Sequence, residues 1–107
     1  MSLVNSEDLK LLTLAKSSQQ RNSAKQCAAL RDGTGRTHVG HSVGLTSLHL
    51  DALQVAMAMA ISSGADAIEA AVVVGDKPSD NALSNVREIS PKALVWHVSQ
   101  DGNTHAL

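Results

Sequence analysis

The chain has 107 residues, with nine Lys or Arg against ten Asp or Glu and a formal net charge of -1. So small a charge creates no field to draw in nucleic acid or an acidic membrane surface. One Trp, with no Tyr or Phe, leaves almost no platform for stacking bases. With 43% hydrophobic and 18% charged residues the composition is that of a folded protein, and the length predicts one domain over 1–107. The single cysteine, Cys27, excludes an internal disulfide and a multi-cysteine zinc site, and suits a reducing, cytoplasmic setting. The first ten residues show no apolar run of signal-peptide length. The longest apolar-rich stretch, Leu48 to Ile61, is broken by His49, Asp51 and Gln54 and is too short to span a bilayer.

Asn5 or Ser6 is placed to cap a first helix, with Glu7 and Asp8 at its positive end. Leu9, Leu12 and Ala15 form a stripe at helical spacing that Leu11 and Leu14 widen, and the helix is expected to fade over the polar stretch Ser17 to Asn22. Gln26 to Leu30 and Arg36 to Ser42 then read as two strands around the turn Asp32-Gly33-Thr34-Gly35. The mixed pattern of the second strand places it near an edge. A second helix is predicted from about Ser47 to Ser63, stopped by Gly64. Its middle, Ala52 to Ile61, is apolar nearly all round, which in so small a chain suggests that another subunit covers one side. Ala67 to Val74, ending in three valines, reads as a central strand covered on both faces. Asp80 is read as the cap of a short helix, Asn81 to Ile89, before a last strand, Ala93 to Val98. The turn Asp101-Gly102-Asn103 and a tail follow. The order is α-β-β-α-β-α-β, without repeat or linker. A helix between the last two strands favours their parallel pairing. The expected architecture is α/β: a mixed sheet of four or more strands between layers of helix.

This order and several local stretches resemble the small cytidine deaminases, over roughly Leu9 to Gly102. The stretches that carry the likeness are Ala28-Ala29-Leu30, the hairpin Asp32 to Gly40, and Leu48 to Val74. Within the last, Ser62-Ser63-Gly64-Ala65 and Ile68-Glu69-Ala70-Ala71-Val72-Val73-Val74 are similar to a helix end and following strand of that family. The resemblance implies a three-layer α-β-α, cytidine-deaminase-like fold. The family's reaction needs a Cys or His two residues before a Glu at one helix start, and Pro-Cys-x-x-Cys at the next. Three such ligands hold zinc, water takes the fourth position, and the Glu moves protons. Aligned without a gap, the first motif falls on Asp51-Ala52-Leu53. The second falls near Asp80 to Ser84, with Asn81 and Ser84 at the cysteine positions. The family's ribose-binding residues fall near Ser42 and Gly44. Leucine transfers no proton, and Asn81 and Ser84 supply no thiolate. The resemblance therefore implies the fold without the activity: a degenerate member with no catalytic residues, no bound metal, and a relic pocket at Ser42, Asp51, Asn81 and Ser84.

A rescue with His49 as ligand and Asp51 as acid or base needs a two-residue deletion that rotates the buried face of the helix by about 200°. His38 and His41 are not spaced to share a strand face, which argues against a histidine metal site. Gly33, Gly35 and Gly40 sit between strands and lack dinucleotide spacing. Cys27 reads as core, and Met57 and Met59 as packing or subunit contact. The leading expectation is a non-catalytic homo-oligomer, dimer or tetramer, serving as a binding or scaffold domain. A residual nucleoside or nucleotide binder is second. A zinc-dependent hydrolase with a rearranged site is last.

Overall fold

A computed structural model describes residues 3–107. Alternation decides its layers. Along β5 (Ile68–Gly75), Ala70, Val72 and Val74 point to one face of the sheet, and Ala71 and Val73 to the other; all are buried. β1 (Gln26–Asp32) does the same with Cys27 and Ala29 against Ala28 and Leu30. Two separate cores result. On one face α1 (Ser6–Asn22) lays Leu11 and Ala15 on the sheet. On the other, α2 (Ala52–Ser62) supplies Ala52, Leu53, Ala56, Met57 and Ala60, and α3 (Asp80–Ile89) supplies Ala82 and Val86. This is the expected α-β-α sandwich.

The sheet has five strands in the order β2-β1-β5-β6-β7, with β2 Thr37–His41, β6 Leu94–Val98 and β7 Thr104–Ala106. β1 pairs antiparallel with both β2 and β5, and β5 pairs parallel with β6 across α3. β5 is central and β2 an edge, as the residue patterns predict. The sequence pattern predicts only a tail where β7 lies. Asp101 makes it a strand by folding the turn: its carboxylate accepts from the N–H of Asn103 at 3.1 Å, and β7 returns antiparallel to β6. Trp96 falls on the α1 face of β6, with Val72 and Val98.

Three boundaries differ from the expectation. α1 continues to Asn22, whose amide donates to the carbonyl of Ser18 at 2.9 Å. Its buried stripe is Asp8, Leu11, Ala15 and Ser18, while Leu9 and Leu14 face solvent. The helix is turned because Asp8 pairs with Arg31 of β1 at 3.0 Å. α2 begins at Ala52 because Asp51 caps it in a reciprocal box with Gln54, and 43–50 instead forms a small ladder of β3 (Val43–Gly44) and β4 (His49–Leu50). Ser79, not Asp80, caps α3, accepting from the N–H of Ala82 at 3.0 Å. Gly40 lets α2 lie close on β2: a Cβ there would meet Val55 at 2.7 Å.

The hairpin turn is organised by Asp32, whose side chain is wholly buried. Its carboxylate accepts from the N–H groups of Thr34 and Arg36, from the Thr34 hydroxyl at 2.7 Å, and from His38 at 3.0 Å. The hydrogen bonds from His38 and Thr34 hold the carboxyl well below the usual aspartate range. Because the folded pKa is depressed, this stabilisation is full at neutral pH and is lost as pH falls below about 4, where the unfolded carboxyl takes up its proton. Asp32→Asn is expected to lower the thermal unfolding midpoint at pH 7 and to flatten its fall on acidification below pH 4. Calorimetry across pH 2–7 reads both.

Candidate functional site

The starts of α2 and α3 open onto the same end of the sheet, the C-terminal end of β5. Between them lies a half-open cavity of about 440 Å³, bounded by Lys25 and Gln26 before and at the start of β1, by Ser42 after β2, by Gly44 and His49 of the small ladder, and by Asp51, Asp76, Lys77 and Ser79. Gly75 ends β5 directly before Asp76 of the cavity wall. With φ +90 it turns the chain out of β5, and a Cβ there would fall 2.1 Å from the carbonyl of Lys25.

Three side chains hold this end together. Gln26 is 4% exposed; its carbonyl accepts from the N–H of Ala52 at 2.7 Å, and its amide donates to the carbonyls of Asp76 at 3.0 Å and Lys77 at 3.3 Å. Gln54 accepts from the N–H of Asp51 and donates to Asn85 of α3, each at 3.1 Å. Asp51 does most. One carboxylate oxygen accepts from the N–H of Gln54 at 3.0 Å; the other accepts from the N–H of Ser79 at 2.9 Å and its hydroxyl at 3.0 Å. One carboxylate thus caps α2 and grips the start of α3, where helix dipoles favour negative charge.

Of the residues expected to form a relic pocket, the structure brings Ser42 and Asp51 into the cavity wall. Asn81 and Ser84 stand exposed on α3 and do not line it. The residue that meets Asp51 is Ser79, two positions before Asn81, because α3 starts earlier than the sequence reading placed it. Its signal was Pro78, which directly precedes the cap. The histidines take separate roles: His49 lines the cavity, His38 serves the hairpin turn, and buried His97 bonds the carbonyl of Gly75 at 2.8 Å. Cys27 lies wholly buried on the α1 face, where burial pushes its thiol pKa up, as suits a core residue.

The family profile described as "Cytidine deaminase-like" matches residues 4–102, and the chain belongs to that family. No curated protein matches by sequence. Among solved structures the fold is similar to a cytidine deaminase from Burkholderia pseudomallei, with TM-score 0.81 and 21% identity, covering 92% of this chain and 90% of that one. It is also similar to cytidine deaminases from Mycobacterium leprae (TM-score 0.72, 16% identity, 97% and 94% covered) and Bacillus anthracis (TM-score 0.74, 14% identity, 96% and 83% covered). At these identities the likeness carries the fold alone.

Zinc is the metal the family implies, and the residues at this end of the sheet do not fit it. Pro78-Ser79-Asp80-Asn81-Ala82 has the spacing of Pro-Cys-x-x-Cys and stands at the start of α3, so by that spacing the residues matching the two cysteines would be Ser79 and Ala82 instead of Asn81 and Ser84. Ala82 has no donor side chain and is wholly buried; Ser79 offers a hydroxyl; Asp51 has both oxygens occupied. Leu53, which the resemblance sets at the proton-shuttle position, is wholly buried in the core. Among the described residues no three His, Cys, Asp or Glu side chains are grouped to hold a metal ion.

Asp51→Ala removes the cap of α2 and the tie to α3 together. It is expected to destabilise the fold by about 1–2 kcal/mol, at the upper part of the range for losing a cap. Asn81→Ala, on an exposed position, is expected to change stability by no more than about 0.5 kcal/mol. Urea unfolding of the two variants separates them, and equal losses would contradict the assignment of Asp51.

Proposed function

We propose that this cytidine-deaminase-like chain is a non-catalytic binding or scaffold domain that works as a homo-oligomer. The observation that carries the reading is the outer side of α2. The helix Ala52–Ser62 contains no charged residue, yet Met59 and Ile61 are 44% and 42% exposed, with Ala58 exposed beside them. Leu48, just before β4, is 48% exposed as well. Solvent-facing helix surfaces ordinarily carry charge, and an apolar one marks a contact. A second copy of this chain suits it: in a two-fold pairing a face meets itself, and an uncharged face does so without like-charge repulsion. The loss of chemistry is supported by Leu53 and Ala82, whose side chains supply neither a proton shuttle nor a ligand.

Light scattering at micromolar concentration is expected to give a dimer or tetramer. Met59→Lys with Ile61→Lys, which sets like charges against each other across that contact, is expected to give a folded monomer. A wild-type monomer would defeat the reading. Cytidine and deoxycytidine offered with added zinc are expected to show no change in ultraviolet absorbance above a no-protein control, and turnover would defeat the non-catalytic part.

The cavity favours a second reading, retention of a nucleoside or nucleotide. Its 440 Å³ lies in the size range of small-molecule sites, and Ser42, His49, Lys25 and Lys77 present polar groups to it. A bound nucleoside at a hundred times its Kd would add about 2.7 kcal/mol to stability. A thermal-shift panel of nucleosides and their monophosphates reads that gain directly, and a panel without any shift would remove this reading.

A further inference from the structure

We infer that the Asp51–Ser79 contact is a metal-free clasp standing where a zinc ion would otherwise tie two helices. The inference concerns how this end of the fold is held, and it stands whatever the assembly state of the chain.

The physical problem is fixed by the fold. α2 and α3 begin at the same end of the sheet, and each helix start carries partial positive charge. Two such ends brought together need negative charge between them. Three thiolates around a divalent zinc carry a net charge of minus one. The Asp51 carboxylate carries the same charge alone, and it reaches both helix starts: the N–H of Gln54 at 3.0 Å, and the N–H and hydroxyl of Ser79 at 2.9 and 3.0 Å. The charge balance of the junction is therefore kept with no metal.

The distances point the same way. Two thiolates on one tetrahedral zinc sit about 3.8 Å apart, given zinc–sulfur bonds of about 2.3 Å. The side chains of Asp51 and Ser79 already meet at 3.0 Å. The third position follows from the cap: the Ser79 hydroxyl accepts from the N–H of Ala82 at 3.0 Å, which keeps residue 82 in the first turn above it. What the chain lacks is donor chemistry, since Ala82 offers none and the carboxylate is spent on helix N–H groups. Helix starts would also favour thiolates placed there, by lowering their pKa. Cys27 does not enter, because it belongs to the core on the opposite face of the sheet.

The test is a restoration. The variant Asp51→Cys, Ser79→Cys, Ala82→Cys is purified reduced, and zinc and cobalt are offered separately. The expected result is about one metal per chain by elemental analysis. Cobalt should give the intense visible bands and thiolate charge transfer of a tetrahedral sulfur-rich site, and a chelator should lower the thermal midpoint. The wild type should take up no metal, and its midpoint should not move with zinc or chelator. A folded triple variant that binds neither metal, or a wild type that binds zinc tightly, would overturn the inference. A double-mutant cycle of Asp51→Ala and Ser79→Ala covers the case in which the triple variant does not fold: each substitution also removes a helix cap, so the clasp is read as the coupling between them, and strictly additive losses would overturn it.

Discussion

Gln26 sits where four segments of the chain meet, and the cavity end of the molecule depends on its amide. Its backbone pairs with Gly75 in β5 and receives the N–H of Ser42 from the far side of the hairpin. Its side chain takes the first N–H of α2 and holds the carbonyls of Asp76 and Lys77. A buried amide is tolerable only when its donors and acceptor are used, because an unpaired polar group away from water is costly. Here both ends of the amide are engaged. Removing it would strand the first turn of α2 and the loop after β5 at once, and the wall formed by Ser42, Asp51 and Ser79 would lose its footing.

The packing behind that junction is made from small side chains. Ala28, Ala52, Ala56, Ala60 and Ala71 share one core, and Ala15, Ala29 and Ala70 the other. Each buries little area, so the hydrophobic return per residue is modest. In exchange, helices come close to the sheet, as at Gly40 under α2. Polar ties at the element ends (Arg31 to Asp8, Asp32 to its turn, Asp51 to Ser79) then set angles that a large aromatic would otherwise fix.

The parts of the fold that were legible in the sequence are those whose residues repeat a pattern. The valines of β5, the glycines of the hairpin turn and the dense apolar run of α2 announced themselves, and the family likeness rested on them. The parts that were not legible depend on single side chains finding distant partners. Nothing in the spacing of Leu9, Leu12 and Ala15 tells that Arg31 will draw Asp8 inward and turn the helix. Nothing local shows that Asp51 ends a ladder as well as beginning a helix. The site is the least legible part, because no cysteine or glutamate stands at the starts of α2 and α3 to mark it. Ser42 and Asp51 of the expected pocket line the cavity and Asn81 and Ser84 do not; the contact of Ser79 with Asp51 has Pro78 as its only local mark. Short β7 was hidden because a three-residue strand has too few positions to show a period.

The sheet's margins have a consequence of their own. Its edges are β2, of five residues and partly covered, and β7, of three and fully open to solvent; they bear His38, His41 and His105. A strand edge invites another strand in proportion to its length, flatness and greasiness, and these offer little of each. The valine-rich strand that would template a fibril lies in the middle, between β1 and β6, with no free ladder of its own. The architecture thus keeps its stickiest strand away from the open-ended stacking that leads to amyloid.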